Sequence, residues 1–509
     1  MATPKELLAA SLEILRKTER DGVVRSSKIG RTHRERLLRN DFMEEVLKGW
    51  LIVTNPSVQK GSSTSWYVSF WSFIRQYLTE RYDDGYCLSP EASIKIHTDS
   101  TVIPKQLIAI TKKKGVQNLP LPFNTSLLMY QDRKNFPDQR IKKNGLWIMD
   151  LPAALCRVSP AFFKSEPNEA ELALRMIRNA SPLLHILLEK GSTSVAGRLA
   201  GAYDYLGETR IAENILKGMT AAGLSVRPSN PFDRFSPTLT AGTRVISPYV
   251  ARIESLWNSM KGQVMEIFPE APGIPKNPDK YLKRIDEIYV NDAYNSLSIE
   301  GYRVTPELIE RIRDGRWDPE SAESDTQQRE AMAAKGYNLA FQSVKGSIMK
   351  ILRGENPAEV AETDHQEWYS RMFSPSVQAG LLKPSDLAGY RNGPVFIQNS
   401  QHVPPPKEAV LDCMEIFFDL LKREKDAGVR SVLGHFIFVY IHPYLDGNGR
   451  IGRFLMNVML ASGGYPWTVI RLERRKQYMA ALEDASVHSK IMAFAKFIEE
   501  EMEHSELPK

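Results

Sequence analysis

The chain has 509 residues, 42% hydrophobic and 25% charged, with a formal net charge of +6. That length exceeds one ordinary core, so about two to four domains are expected, and the composition excludes a collagen-like or disordered chain. Cys87, Cys156 and Cys413 are too scattered for a metal-ligand spacing or a disulfide framework, no apolar run reaches the ~18 residues of a membrane span, and charges interrupt the first apolar stretch where a signal peptide would have none, so a cytoplasmic protein is expected.

Leu8, Leu12 and Leu15 recur at helical spacing, which predicts a helix over residues 7–18. Ser26 and Ser27 are candidate caps for a short second helix. RTHRERLLRNDF, residues 31–42, reads as a third, with Leu37 and Leu38 inward. EVLKGWLIV, residues 45–53, then reads as a hairpin turning at Lys48-Gly49. Three helices and a small hairpin are the order of a winged helix. Between Arg25 and Arg39 stand six basic residues and one acid, Glu35. Arg31, Arg34 and Arg39 are the candidate contacts to duplex DNA; the alternative is an ordinary solvated face. With its GW wing, this stretch resembles the N-terminal domain of AbiEi-type antitoxins.

SWYVSFWSFIRQYLTERY, residues 65–82, carries aromatics at helical spacing and is expected to be core. CLSPEASIKIHT, residues 87–98, reads as a cap turn running into a strand. Residues 106–121 and 126–134 suggest further strands, and the pattern turns helical from Glu169 to Ala222. Residues 101–145 hold nine basic residues and two acids, a local charge of +7. This is either an extension of a nucleic-acid surface or a lysine-rich sheet edge. SVRPSNPFDRFSPTLTAGTR, residues 225–244, holds three prolines and is expected to be a linker. The expected domains are 1–60, 61–232, a linker with a connecting helix over 233–280, and 281–509.

In the last of these, SLSIEG closes a helical pattern at Ser296–Gly301, with Gly301 as a helix stop. Farther on, YRNGPVFIQNSQHVPPP begins an extended run at Gly393 and Pro394, with a turn expected at Asn399-Ser400. Main-chain groups of Gly393, Val395, Phe396 and Ile397 would then be open to strand addition by a peptide. The densest stretch follows: HPYLDGNGRIGR, His442 to Arg453, between two apolar runs long enough for buried helices. A loop feeding a helix start, with amides of Gly447, Asn448 and Gly449 turned into one concavity, is a polyphosphate cradle. Arg450 and Arg453 share a helix face at i, i+3, Asp446 is a candidate Mg²⁺ ligand, and His442 stands at the rim as a candidate base.

The string resembles the Fic family signature, H-x-F-x-[D/E]-G-N-G-R-x-x-R, with Tyr444 where phenylalanine is usual. The resemblance implies transfer of AMP from ATP to a Ser, Thr or Tyr hydroxyl of a target protein. His442 would be the general base, Asp446 the holder of Mg²⁺, and Gly447, Asn448, Gly449, Arg450 and Arg453 the phosphate binders. Tyr478 would line the adenine pocket, and Ser486 stands where relatives often have asparagine. SLSIEG resembles the family's inhibitory motif, [S/T]-x-x-x-E-[G/N], which implies that Glu300 pairs with Arg453 and keeps ATP in a non-productive pose. The segment around Gly393–Ile397 resembles the family's target-docking flap. The expected fold is mainly α: a C-terminal Fic helical bundle with a β-hairpin flap, preceded by an α+β region that starts with a winged helix. The expected partners are a target protein, duplex DNA and a second copy of the chain, with no membrane. A DNA-binding regulator whose C-terminal half senses nucleotide, or modifies the protein itself, is the alternative from another class. Within the same fold, transfer of another nucleotidyl group or removal of AMP also fits; phosphoryl transfer fits less well, because related kinases depart from GNGR.

Overall fold

The computed structural model describes residues 3–56, 62–243, 245–317 and 325–506. The chain divides into two compact units, one of Met1–Ala251 with Phe396–Val403, the other of Arg252–Val395 with Pro404–Lys509. Among the described residues no helix is long and apolar enough to cross a membrane.

The first unit opens with helix α1 (Pro4–Thr18), strand β1 (Val23–Arg25), a 3-10 turn at Ser26–Lys28, α2 (Arg31–Arg39), β2 (Met43–Leu47) and β3 (Trp50–Val53). The strands form an antiparallel sheet in the order β1-β3-β2. Thr3 and Glu6 make a reciprocal capping box at the start of α1. Leu15, Val24, Ile29, Leu37, Met43 and Leu51 form the small core beneath. Arg36, one of the basic run, faces inward, donating to the Leu7 carbonyl (3.0 Å) and Ser11 Oγ (2.8 Å). The expected boundary at 60–61 lies outside the described residues.

Helix α3 (Thr64–Tyr82) buries Trp66, Phe70 and Phe73 as the aromatic spacing predicts. Next come β4 (Tyr86–Leu88), α4 (Pro90–His97), β5 (Gln106–Thr111), β6 (Val116–Leu121) and β7 (Thr125–Gln131), in the sheet order β4-β5-β7-β6 with β5 and β7 parallel. The strand expected up to Thr98 is therefore a correction: it is helix α4. Ser89 accepts from the Ala92 amide, Pro90 stands in the first turn and Glu91 follows, and these start signals outweigh the alternation of Ile94 and Ile96. A hairpin of β8 (Arg140–Lys143) and β9 (Leu146–Met149) follows. Part of the basic stretch covers a buried ring, since Lys112 and Arg140 both lie over Phe136 at 4.8 Å.

Six helices complete this unit: α5 (Leu151–Arg157), α6 (Pro160–Ser165), α7 (Pro167–Arg175), α8 (Ser181–Lys190), α9 (Thr193–Tyr205) and α10 (Thr209–Ala221). The expected linker at 225–244 is a strap on these helices; of it, only Arg244 lies outside the described residues. Phe232 and Phe235 stack in the helical core. The buried Glu171 carboxylate accepts from the Thr238 amide (2.9 Å), Thr238 Oγ1 (2.6 Å) and the Leu239 amide (3.2 Å). Proline and polar content marked an irregular backbone correctly, but two phenylalanines and one buried carboxylate give it fixed partners.

Helix α11 (Pro248–Ile267) runs into the second unit. It is followed by α12 (Pro278–Ile299), α13 (Pro306–Arg313), α14 (Asp325–Leu352), α15 (Pro357–Gln378), α16 (Lys407–Arg423), α17 (Ala427–Ile441), α18 (Asn448–Gly463), α19 (Arg475–His488) and α20 (Met492–Glu506). The antiparallel α17 and α18 are buried almost all round, and the sequence of α17 accordingly shows little amphipathic contrast. They pack on α14, α15 and α16 to form the mainly helical bundle.

Candidate active site

Six residues, His442 to Gly447, join α17 to α18, and their conformation follows from how each helix ends. His442 is the C-cap of α17 and takes a left-handed backbone (φ 54°, ψ 59°), uncommon for a residue with a side chain. Gly447 caps α18 at φ 79°, a region open to glycine without strain. Asn448, the first residue of α18, staples the loop: its Oδ1 accepts from the Tyr444 amide (2.8 Å) and its Nδ2 donates to the Tyr444 carbonyl (2.9 Å). Both ends of its side-chain amide are thus engaged in shaping the loop, which leaves the main-chain amide at the start of α18 as the group of Asn448 that can face a phosphate.

His442 Nδ1 lies 3.1 Å from the Val439 carbonyl. A carbonyl only accepts, so Nδ1 carries the hydrogen and Nε2 is the free lone pair. Burial pushes the imidazole below the usual histidine range, and the Val439 contact opposes this without cancelling it. A neutral ring with Nε2 available is the state a general base needs.

The arginines are held differently. Arg450 is buried between two rings, its guanidinium 5.1 Å from the Tyr302 centroid and 5.0 Å from that of Phe373. Its Nη2 donates to Asp446 Oδ2 (3.2 Å), while its Nε is buried without an acceptor among the described residues. Arg453 meets the end of α12: Nε donates to Ser296 Oγ (2.9 Å), and Nη2 donates to the Ser296 carbonyl (3.0 Å) and Glu300 Oε1 (2.8 Å). Its Nη1 is also buried without an acceptor among the described residues. Burial alone would lower the Arg453 pKa; the Glu300 carboxylate, with Tyr478 and Tyr337, outweighs it and the net shift is upward.

Glu300 does more than pair with Arg453. A Cβ placed on Gly449 would fall 2.3 Å from Glu300 Oε1, so the carboxylate sits against the first turn of α18, where helix amides and dipole attract an anion. Gly301, at φ 87°, ends the chain reversal behind it. Helix α12 is anchored by the buried Asp292, which accepts from Tyr337 Oη (2.6 Å) and Trp467 Nε1 (3.0 Å). Burial lifts this carboxyl to about 6 against the pull of those two hydrogen bonds.

Asp446 is 65% exposed, with Oδ1 accepting from the Gly447 amide (2.6 Å). Among the described residues no three ligating side chains cluster as a metal site. The arrangement nonetheless fits Mg²⁺ shared with a polyphosphate, which needs one open carboxylate and leaves the other positions to phosphate and water. The orphan donors Arg450 Nε and Arg453 Nη1 are of the right chemistry for phosphate oxygens.

Two expectations change here. Tyr478 is in the core: 1% exposed, its hydroxyl lies 2.7 Å from His435 Nε2 and its ring packs on Phe494 and Phe497. It supports the floor beneath Arg453 rather than lining an open pocket. The segment from Gly393 to Ile397 is extended but forms no hairpin. It turns at Asn399 (φ 59°), with the Ser400 amide donating to the Ile397 carbonyl (3.2 Å). Pro394 on one leg and Pro404, Pro405 and Pro406 on the other lack the amides a ladder requires. Phe396 and Ile397 belong to the first unit, in which Ile103 and Val403 amides donate across an isolated bridge to the Gln401 and Thr101 carbonyls (2.9 and 2.7 Å). Arg31, Arg34 and Arg39 also lie in the first unit. Sequence reasoning missed Arg391, Asp292, Tyr302 and Phe373, which stand outside any signature.

The Fic/DOC family profile matches residues 360–460. "Protein adenylyltransferase Fic" of Nematostella vectensis is 28% identical over 252 residues, 48% of this chain and 55% of that protein. The protein of the same name from Drosophila willistoni is 29% identical over 216 residues, 42% of this chain and 40% of that one. The chain thus spans about half the length of the curated relatives it matches. Among solved structures, Fic-1 (residues 134–508) from C. elegans is 18% identical, covering 66% of this chain and 86% of that chain at a TM-score of 0.37. The Fic domain containing signaling protein from Bacteroides thetaiotaomicron is 19% identical, with 50% and 93% covered at a TM-score of 0.36. The signature loop, α16 and α17 fall within the matched span, as do all but the outer ends of α15 and α18, and residues 360–460 are a Fic domain of the Fic/DOC family.

Proposed function

We propose that the chain is a protein adenylyltransferase held in check by Glu300. The observation that carries this reading is the position of the Glu300 carboxylate, 2.8 Å from Arg453 and against Gly449, where a phosphate would otherwise sit. A carboxylate and a γ-phosphate compete for the same guanidinium and the same helix start. With Glu300 displaced, Arg450 and Arg453 hold the β- and γ-phosphates of ATP. A target Ser, Thr or Tyr oxygen attacks the α-phosphorus, His442 Nε2 takes its proton, and pyrophosphate leaves. Mg²⁺ at Asp446, when bound, neutralises charge on the phosphates. Incubation of wild type and Glu300→Gly with labelled ATP and Mg²⁺, followed by mass-mapping of AMP on the chain and on lysate proteins, tests the reading. Wild type that instead strips AMP from a modified protein, and loses that activity in Glu300→Gly, would reverse the direction of the chemistry.

A second reading concerns the first 60 or so residues and is supported by the exposed Arg31 and Arg39 on α2, beside the β1-β3-β2 sheet. These residues, with Arg34, contact the phosphates of duplex DNA. Arg31 is shared with Glu35 at 2.7 Å, which weakens its claim. Gel-shift titration of the full chain across salt checks this: the slope of log K against log salt should shrink by about 0.9 for each contact removed. No retention at low salt would leave the region without a DNA role.

A further inference from the structure

We infer that Arg391 is a positioning residue for His442, a clasp that ties both feet of the 393–405 segment to the main chain at the catalytic histidine. This rests on the reading of His442 as the base. Arg391 is 5% exposed, and its guanidinium has carbonyls as its hydrogen-bond partners. Nε donates to the His442 carbonyl (2.8 Å), Nη1 to the Gly393 carbonyl (3.1 Å), and Nη2 to the Pro405 carbonyl and, at 3.5 Å, to that of Ile441. Its own amide donates to the Pro443 carbonyl (2.9 Å).

The geometry says what this cation is for. The carbonyls of Ile441 and His442 lie at the C-terminus of α17, where helix carbonyls lack intrahelical donors and the dipole favours positive charge. His442 adopts its left-handed backbone at this point, and the orientation of its peptide unit sets where the imidazole points. A planar fork of five donors can span four carbonyls on two chain segments; an ammonium cannot. An apolar residue of similar bulk would fill the space without the cost of burying a charge, so the carbonyl contacts are what the guanidinium supplies. Gly393 and Pro405 are the two ends of the segment whose extended residues are the candidate target-docking run. One side chain therefore fixes the base and the entrance of the docking segment together.

The test uses the full chain in the Glu300→Gly background, with Arg391→Met and Arg391→Lys. The measurements are melting temperature, affinity for a non-hydrolysable ATP analogue with Mg²⁺, rate of AMP incorporation, hydrogen exchange over 393–405, and the His442 imidazole titration by NMR. Arg391→Met should lower the incorporation rate roughly 10²-fold, the effect of a misplacement near 1 Å, while leaving analogue affinity at the parental value. Exchange over 393–405 should quicken and the His442 midpoint should rise, as a cation is removed from beside it. Arg391→Lys should recover part of the rate. A folded Arg391→Met with parental rate and parental exchange would overturn the inference, and so would a loss of analogue affinity that accounts for the whole loss of rate. If Arg391→Met does not fold, Arg391→Lys decides: a lowered rate at parental melting temperature and analogue affinity supports the clasp, and a parental rate refutes it. If the parent incorporates no AMP, the transferase reading fails, while exchange and the imidazole titration still decide whether Arg391 holds His442.

Discussion

The two sides of the candidate active site are each built on a buried arginine, and the two arginines are satisfied by opposite means. Arg453, on the phosphate side, is matched to the carboxylate of Glu300. Arg391, on the side of the 393–405 segment, is matched to neutral carbonyls. A charge partner can be exchanged for another anion, because a phosphate offers the same oxygens and more charge. Main-chain carbonyls at a helix end cannot be exchanged for anything a substrate brings. The phosphate side is therefore replaceable and fit for regulation, and the histidine side is permanent and fit for holding a base in place.

That contrast is broken most severely at His442, which the clasp serves. His442→Ala should lower AMP transfer by about 10²–10⁴, the usual yield of general-base catalysis, with ATP binding retained by Arg450 and Arg453. Full transfer by that variant would remove the histidine from the chemistry. A smaller effect comes from pH. Protonated His442 cannot accept a proton, and burial holds its pKa below the ordinary ~6.5. Transfer should accordingly stay near its plateau down to and below pH 6.5 and fall only in more acid solution; a midpoint above 7 in the rate profile would contradict the neutral ring.

Stability should respond to acid through His435, which is wholly enclosed and lowered to about 4 by burial. The unfolded chain binds this proton from about pH 6.5 downward and the folded chain does not, so stability should decline as pH falls from 6.5 towards 4. Replacing His435 by glutamine should flatten that part of the melting-temperature profile. An unchanged profile would mean that His435 titrates alike in both states.

The smallest expected effect is at Tyr444. Its ring stacks on Tyr369 with centroids 3.9 Å apart and planes within 4°, yet its hydroxyl is buried with no partner among the described residues. Tyr444→Phe keeps the stack and removes an unsatisfied polar group, so it should be neutral or stabilising by up to about 1 kcal/mol. A loss of stability in thermal unfolding would show that the hydroxyl is satisfied by ordered water.

The same asymmetry explains what could be read in the sequence. The phosphate side was legible because its requirements are local: Gly447, Gly449, Arg450 and Arg453 lie within one turn-and-helix string, and one glutamate before a glycine stop completes it. The histidine side was not, because Arg391 acts across 50 positions on carbonyls, which carry no side-chain signature. The staple made by Asn448 is hidden for a related reason: its side-chain amide answers the main chain of Tyr444, which carries no signature. In the first unit, apolar spacing identifies α1, α3 and strands β2, β3 and β5 to β7 but not the short β1, β4, β8 and β9, and it takes α4 for a strand and the stretch with Phe232 and Phe235 for a linker. Periodicity identifies regular elements and is silent on an irregular strap that buries two rings.

Glu300→Gly tests the central claim most directly, that a carboxylate occupies the phosphate position. AMP incorporation from labelled ATP, measured beside wild type, Arg453→Ala and the double variant, separates the possible causes. Glu300→Gly should raise incorporation, most visibly as self-modification, and Arg453→Ala should lower it, because the γ-phosphate loses its anchor. The double variant should match Arg453→Ala alone, since the glutamate then has nothing to withhold. Incorporation by Glu300→Gly no higher than wild type, on the chain itself and across several target lysates, would contradict the account.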